Sequence, residues 1–200
     1  MGNLVIAIGR QHGSGGRYIG EQLAERLGIK CYNSELITET AVKGGFAQQY
    51  IAENEERRPQ SLLFSLVMGY GSPESQPVAL RLFTEQSKVI KEIAERESCV
   101  IIGRCADYVL RYHPGLVRVF VHAPLDVRVK RLCETDGLSA EEAEKSIKKT
   151  DKQRAGYHSF YANQDWGLAE NYDLCINTGK TGISGAVDLI EAYTKLRPVQ

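Results

Sequence analysis

An α/β fold, a five-stranded parallel sheet flanked by helices, follows from three features of the 200-residue chain. Short apolar runs alternate with longer amphipathic stretches. The runs lack the polar alternation of half-exposed strands, so they read as strands buried on both faces. The stretches between them carry apolar residues at helical spacing and are long enough for right-handed crossovers between parallel strands.

Leu4-Val5-Ile6-Ala7-Ile8 is the first strand. Residues 17–27 form a helix, with Ile19, Leu23 and Leu27 on one face and Gly28 as its stop. Ile29-Lys30-Cys31-Tyr32 is a short second strand, and residues 34–43 form a helix ending at Gly44-Gly45. Residues 46–75 show no clean period. They run from a polar stretch through Leu62-Leu63-Phe64-Ser65-Leu66-Val67-Met68 to the loop-like Gly69-Tyr70-Gly71-Ser72-Pro73. Residues 77–97 form a long helix with Leu80, Phe83, Ile90 and Ile93 toward the core. Cys99-Val100-Ile101-Ile102 is the third strand, broken by Gly103-Arg104, and residues 106–112 form a short helix. Residues 116–121 are the fourth strand, stopped by Ala123-Pro124, and residues 125–133 are helical. Ser139-Ala140-Glu141-Glu142 has capping-box spacing and opens a helix through about Tyr157. Residues 173–177 are the fifth strand, and residues 183–196 the last helix, with Ile183, Val187, Ile190 and Tyr193 on one face.

No repeat or interdomain linker interrupts this series, so residues 1–200 read as a single domain. Twenty-five basic and 25 acidic residues cancel, which argues against nucleic acid or a membrane surface as the main partner. Any anion site must be a local cluster of cations. The five cysteines are widely spaced and odd in number, so reduced thiols in a cytoplasmic protein are expected rather than disulfides or a zinc site. Cys99 and Cys175 lie in apolar runs and read as small core residues. No signal peptide is recognisable, and no apolar run approaches the roughly 20 residues that cross a bilayer. His113, His122 and His158 lack metal-ligand spacing.

The strongest chemical signal is the turn Arg10-Gln11-His12-Gly13-Ser14-Gly15-Gly16-Arg17 between the first strand and the first helix. Glycines let successive backbone N–H groups converge on one anion, and the helix N-terminus adds free donors and positive dipole. Gly13, Ser14, Gly15, Gly16, Arg17 and Tyr18 are therefore the expected nucleotide-phosphate site. The common signature G-x-x-x-x-G-K-[ST] is not matched. With Gly15 as its last glycine, Gly16 takes the lysine position, Arg17 the hydroxyl position and Arg10 the first-glycine position. Arg17 is a candidate to restore the missing charge. His12 either touches a phosphate or fills space.

From Ile6 to Gly28 the chain resembles the cytidylate-kinase-like family of P-loop kinases. Gly13-Ser14-Gly15-Gly16-Arg17-Tyr18 stands where true cytidylate kinases have GSGKGT. Further segments fit in order: Tyr32-Asn33-Ser34-Glu35-Leu36-Ile37, Val100-Ile101-Ile102-Gly103-Arg104, residues 119–124, Arg128 with Arg131, residues 151–157, Trp166, and residues 171–178. The resemblance implies a P-loop kinase fold with an acceptor-binding insertion over 45–75 and a helical lid over 133–160. It implies ATP and Mg2+ as cofactors, and phosphoryl transfer to CMP, dCMP or a related small acceptor. Gly16 in place of lysine and Asn33 in place of an expected Asp are its departures.

Phosphoryl transfer is catalysed mainly by positioning and charge, so ordered arginines are expected around the transferred group. Arg17, Arg131 and Arg154 are the catalytic candidates. Arg104, which follows the third strand, is expected at the acceptor phosphate by resemblance to a Gly-Arg-Asp motif. Asp107, Asn33 and Arg128 complete the acceptor-side set. Arg128 and Arg131 share a helix face, as do Asp151 and Arg154. Arg57 and Arg58 read as a solvated turn more than as ligands. Asp173 is equally a cap or a chemical group, and Tyr157, Phe160, Tyr161 and Trp166 read as packing more than base stacking. A kinase is the first expectation. A nucleotide-sensing module without transfer and a kinase of a different metabolite are the alternatives.

Overall fold

The computed structural model describes residues 2–42 and 78–196. Strands β1 (Val5–Arg10), β2 (Lys30–Tyr32), β3 (Cys99–Ile102), β4 (Leu116–His122) and β5 (Leu174–Asn177) form one sheet in the order β2-β3-β1-β4-β5. Every neighbouring pair is parallel. The helices are α1 (Gly16–Leu27), α2 (Ser34–Val42), α3 (Val78–Arg96), α4 (Ala106–Val109), α5 (Leu125–Asp136), α6 (Ala140–Ala162) and α7 (Thr178–Leu196).

The unbroken apolar runs are explained by cover on both faces. Ile6 and Ile8 of β1 and Val100 and Ile102 of β3 pack with Ile19 and Leu23 of α1 and with Val187 and Ile190 of α7. Val5, Ala7, Cys99 and Ile101 point the other way, toward Ile37 of α2 and Ile90 and Ile93 of α3. The strand period of two thus feeds two helical layers at once. Gly20 lets α1 approach closely, since a Cβ there would lie 2.7 Å from Ile102 Cδ1.

The elements follow the expected order, with several differences. Helix α6 runs on to Ala162, past the expected end near Tyr157, and Asn163 closes it in a left-handed conformation. Its capping box forms as the spacing predicts: Glu142 N–H donates to Ser139 Oγ, and the Glu142 carboxylate accepts from Ser139 N–H. Helix α7 starts at Thr178 but breaks at Gly182 (φ 66°, ψ −177°), so its second segment is the helix expected from residue 183. Leu80 is only half-buried, and Leu82 and Gln86 take the interior positions on α3. Cys175 is exposed, not a core residue, because β5 is the sheet edge and the strand's alternation turns it outward; Cys99 is fully buried.

Asp173 is structural: its carboxylate accepts from Arg118 N–H at 2.7 Å and from Arg118 Nη2 at 2.8 Å. The aromatic residues pack on one another, with Phe83 stacked on Tyr161 at 3.9 Å and Trp166 edge-on to Phe120 at 5.2 Å. The expected insertion over 45–75, with Arg57, Arg58 and the apolar run 62–68, lies outside the described residues. Among the described residues no helix is long and apolar enough to cross a membrane.

Candidate functional site

The carboxyl ends of all five strands lie on one side of the parallel sheet, where ligands of open α/β sheets bind. A cavity of about 410 Å³ opens there. It is lined by the Gly-rich turn, by Asn33, Ser34 and Glu35 after β2, by Arg104 after β3, and by Arg131, Thr135, Asp136 and Arg154 from α5 and α6. Five arginines and two carboxylates face it, so the lining is strongly cationic in a chain of zero net charge.

The turn owes its shape to a set of side chains that capture its carbonyls. Arg154 Nη1 donates to the Arg10 carbonyl (3.2 Å), and Ser14 Oγ to the Gln11 carbonyl (2.7 Å). Arg128 Nη1 donates to the His12 carbonyl (3.3 Å), Arg131 Nη1 to the Gly13 carbonyl (2.6 Å), and Thr178 Oγ1 to the Ser14 carbonyl (2.7 Å). Five consecutive carbonyls are thereby held. The His12 N–H is taken by Asp151 Oδ1 at 2.7 Å. Gly13 (φ 74°) and Gly15 (φ 87°) supply the left-handed backbone this path requires. Among the described residues the N–H groups of Gly13, Gly15, Gly16, Arg17 and Tyr18 find no protein acceptor. The last three are the first residues of α1, whose N–H groups a helix leaves unpaired by construction. Such a concave set of donors with a helix dipole behind it is an anion cradle.

The arginines divide into distinct environments. Arg128 is buried and paired with Asp151 at 2.5 Å, behind the turn rather than in the cavity lining. Arg131 is half-buried, and burial pushes its pKa down against a weaker opposing pull from Glu134; it is a partly desolvated cation at the cavity wall. Arg17 is exposed on α1 and bound through Nε to Glu21 at 2.9 Å. Arg104 is buried on a turn in which Gly103, Arg104 and Cys105 all have positive φ (82°, 54° and 51°). A left-handed backbone at two successive non-glycine residues costs about 1–2 kcal/mol each, so the surrounding structure must impose it.

Asp107 does not line the large cavity. It is buried beside a smaller one, where its carboxylate meets His158 Nε2 at 2.9 Å. Asn33 lines the large cavity, and its side chain also accepts the Leu36 N–H at the start of α2. Tyr18 lines the cavity rim and is 43% exposed, whereas Ser14 is fully buried under the turn. His12 lines the cavity with its Nε2 3.2 Å from Ser146 Oγ.

Sequence reading missed Asp151 and Thr178 as holders of the turn, and the Asp107–His158 pair. The bonds from Arg131 and Thr178 to the turn span 118 and 164 residues, so no local spacing announces them. The visible signal for Thr178 was its place directly after a strand, at the ligand-binding end of the sheet.

The model of the cytidylate kinase-like family matches residues 5–180. The chain belongs to the cytidylate kinase-like family. The cytidylate kinase of Pyrococcus horikoshii is 25% identical over 191 residues, covering 94% of this chain and 87% of that one. An uncharacterized protein from Eubacterium ventriosum, solved by crystallography, superposes with a TM-score of 0.75 at 31% identity, covering 98% of this chain and all of that one. Shikimate kinase from Acinetobacter baumannii superposes at 0.51 with 19% identity, covering 98% and 92%, and shows the P-loop kinase fold. Membership makes a kinase-type phosphotransferase the functional class of this chain.

Proposed function

We propose that this member of the cytidylate kinase-like family transfers the γ-phosphoryl group of ATP to CMP, dCMP or a related small acceptor. The observation that carries the reading is the turn itself: its carbonyls are held by side chains while five N–H donors are left for a ligand, beside a cavity lined by arginines. The donor phosphates belong on Gly13–Tyr18, and the cavity-lining Arg17, Arg131 and Arg154 are the candidates to offset charge developing on the transferred group. Arg104, across the cavity at the end of β3, is the candidate for the acceptor phosphate. An acceptor phosphate oxygen bonds to the γ-phosphorus as its bond to the β–γ bridging oxygen breaks, and ADP leaves with that electron pair.

Magnesium fits this site through the nucleotide. Among the described residues no group of three or more His, Cys, Asp or Glu forms a cage. Magnesium needs none, since it is ordinarily held by phosphate oxygens and water with one or two carboxylates. Glu35 and Asp136 are the cavity-lining carboxylates available for that. When bound, the ion offsets phosphate charge. Residues 133–160 serve as the lid, and segment 45–75 as the acceptor-specific part of a single domain.

A coupled ADP-release assay across nucleoside monophosphates and small metabolites tests the reading. Turnover is expected with a cytidine monophosphate. Nucleotide binding without turnover on any acceptor would instead establish a sensing module, which Gly16 at the lysine position favours.

A further inference from the structure

We propose that Arg10 supplies the cation that phosphate loops ordinarily carry on a lysine, positions 10 and 16 having exchanged side chain and glycine. The inference rests on the cavity binding nucleotide phosphates, not on transfer to a particular acceptor.

The two positions cannot both carry a side chain. A Cβ built on Gly16 would lie 2.6 Å from Arg10 Cβ and 2.9 Å from Arg10 Cγ, distances that real Cβ atoms do not adopt. The common signature meets this constraint with glycine first and lysine six residues later. Here Arg10 ends β1 and Gly16 starts α1, so the bulk and charge sit on the strand side and the gap on the helix side.

The arginine's path follows from that gap. Its stem lies against Gly16, and its Nη1 reaches the backbone at the end of β3. A Cβ on Gly103 would stand only 2.0 Å from that nitrogen. Gly16 and Gly103 therefore act together as a channel in which the side chain of Arg10 lies. The Arg10 carbonyl is captured by Arg154, and Arg10 lines the cavity beside the free N–H donors of the turn. Arg17, the other cation in the turn, also lines the cavity but is 60% exposed and engaged with Glu21. Of the two, Arg10 is the one whose stem runs from the end of β1 past Gly16 to the end of β3. A planar guanidinium presents several fixed donors where an ammonium presents a point charge, which suits contact with two phosphate oxygens at once.

The test uses the full chain with four variants: Arg10→Met, which keeps a stem without charge, Arg10→Lys, Gly16→Lys, and the double Arg10→Gly/Gly16→Lys. ATP affinity is measured by calorimetry, with turnover and the unfolding midpoint alongside. Loss of a charged phosphate contact is expected to weaken ATP binding roughly 10- to 100-fold in Arg10→Met at an unchanged unfolding midpoint. Arg10→Lys is expected to retain most of the affinity. Gly16→Lys alone is expected to lose it by collision with Arg10, and the double variant to regain it. Affinity in Arg10→Met within twofold of the parent, or a double variant no better than Gly16→Lys, overturns the proposal. A parent chain that binds no ATP overturns the reading of the cavity itself. A parent that binds ATP without transfer leaves the Arg10 comparison readable through affinity alone.

Discussion

Single residues in this site are set by partners far away in sequence. Asp107, expected at the acceptor, illustrates it. Its carboxylate is buried against His158, whose Nδ1 faces the Gln164 carbonyl at 3.4 Å. Both ring nitrogens therefore meet acceptors, which suits the imidazolium. Burial alone would lower the His158 pKa, but the hydrogen bond and charge of Asp107 outweigh it and the net shift is upward from 6.5. A raised histidine pKa stabilises the fold fully below the unfolded value and loses that contribution as pH rises through the folded one. The unfolding midpoint is thus expected to fall as pH rises above the ordinary histidine value of 6.5, and His158→Gln to flatten that slope in denaturant titrations. The expectation fails if both chains show the same pH dependence. In the sequence Asp107 was one acidic residue near a motif arginine, and nothing in its neighbourhood pointed to His158, 51 residues on.

At the scale of elements, α6 links α5 to the phosphate turn. Arg154 and Asp151, three apart on one face, reach different parts of the turn: its first carbonyl and the His12 N–H. Asp151 also neutralises the buried Arg128 of α5. Asp151→Ala leaves that guanidinium buried without its carboxylate, which costs about 3–5 kcal/mol in comparable pairs. Urea unfolding should show a loss of that order, together with weaker ATP binding; a loss below 1 kcal/mol would show the pair to be dispensable. The helix itself was legible, from its capping box to its charged outer face, because caps and periods are written in adjacent residues. What it holds was not, because the choice between a solvated arginine and a carbonyl-capturing one is made by tertiary packing. The same distinction explains Cys175, whose apolar neighbours identify a strand but not that the strand lies at an edge.

The whole molecule places an arginine-rich cavity at one end of an electrically balanced chain. Binding should therefore be local, salt-sensitive and visible in global stability. A ligand at one hundred times its Kd adds about 2.7 kcal/mol to folding, which for a chain of this size raises Tm by roughly 5–10 °C. ATP is expected to produce such a rise in thermal scans, adenosine to produce almost none, and added salt to erode the difference. Equal shifts from ATP and adenosine would show that the cavity does not select phosphate. The parallel sheet and its ligand-binding end were legible because strand runs and crossovers recur along the chain, whereas the order β2-β3-β1-β4-β5 was not written in any local run. The segment that would set acceptor choice was the least periodic part of it.

The bond from Thr178 to the Ser14 carbonyl has a consequence for how the protein comes into being. It joins the start of the chain to a residue made 164 positions later. A ribosome-bound chain that has completed β1 and α1 holds all the glycines of the turn but not the hydroxyl that fixes its last carbonyl. The last carbonyl of the turn is thus fixed only once Thr178, the residue after β5, has been made. Contacts of such sequence separation require a long loop to close before they form, so the shape of the turn depends on the folding of the whole chain and not of its first elements alone.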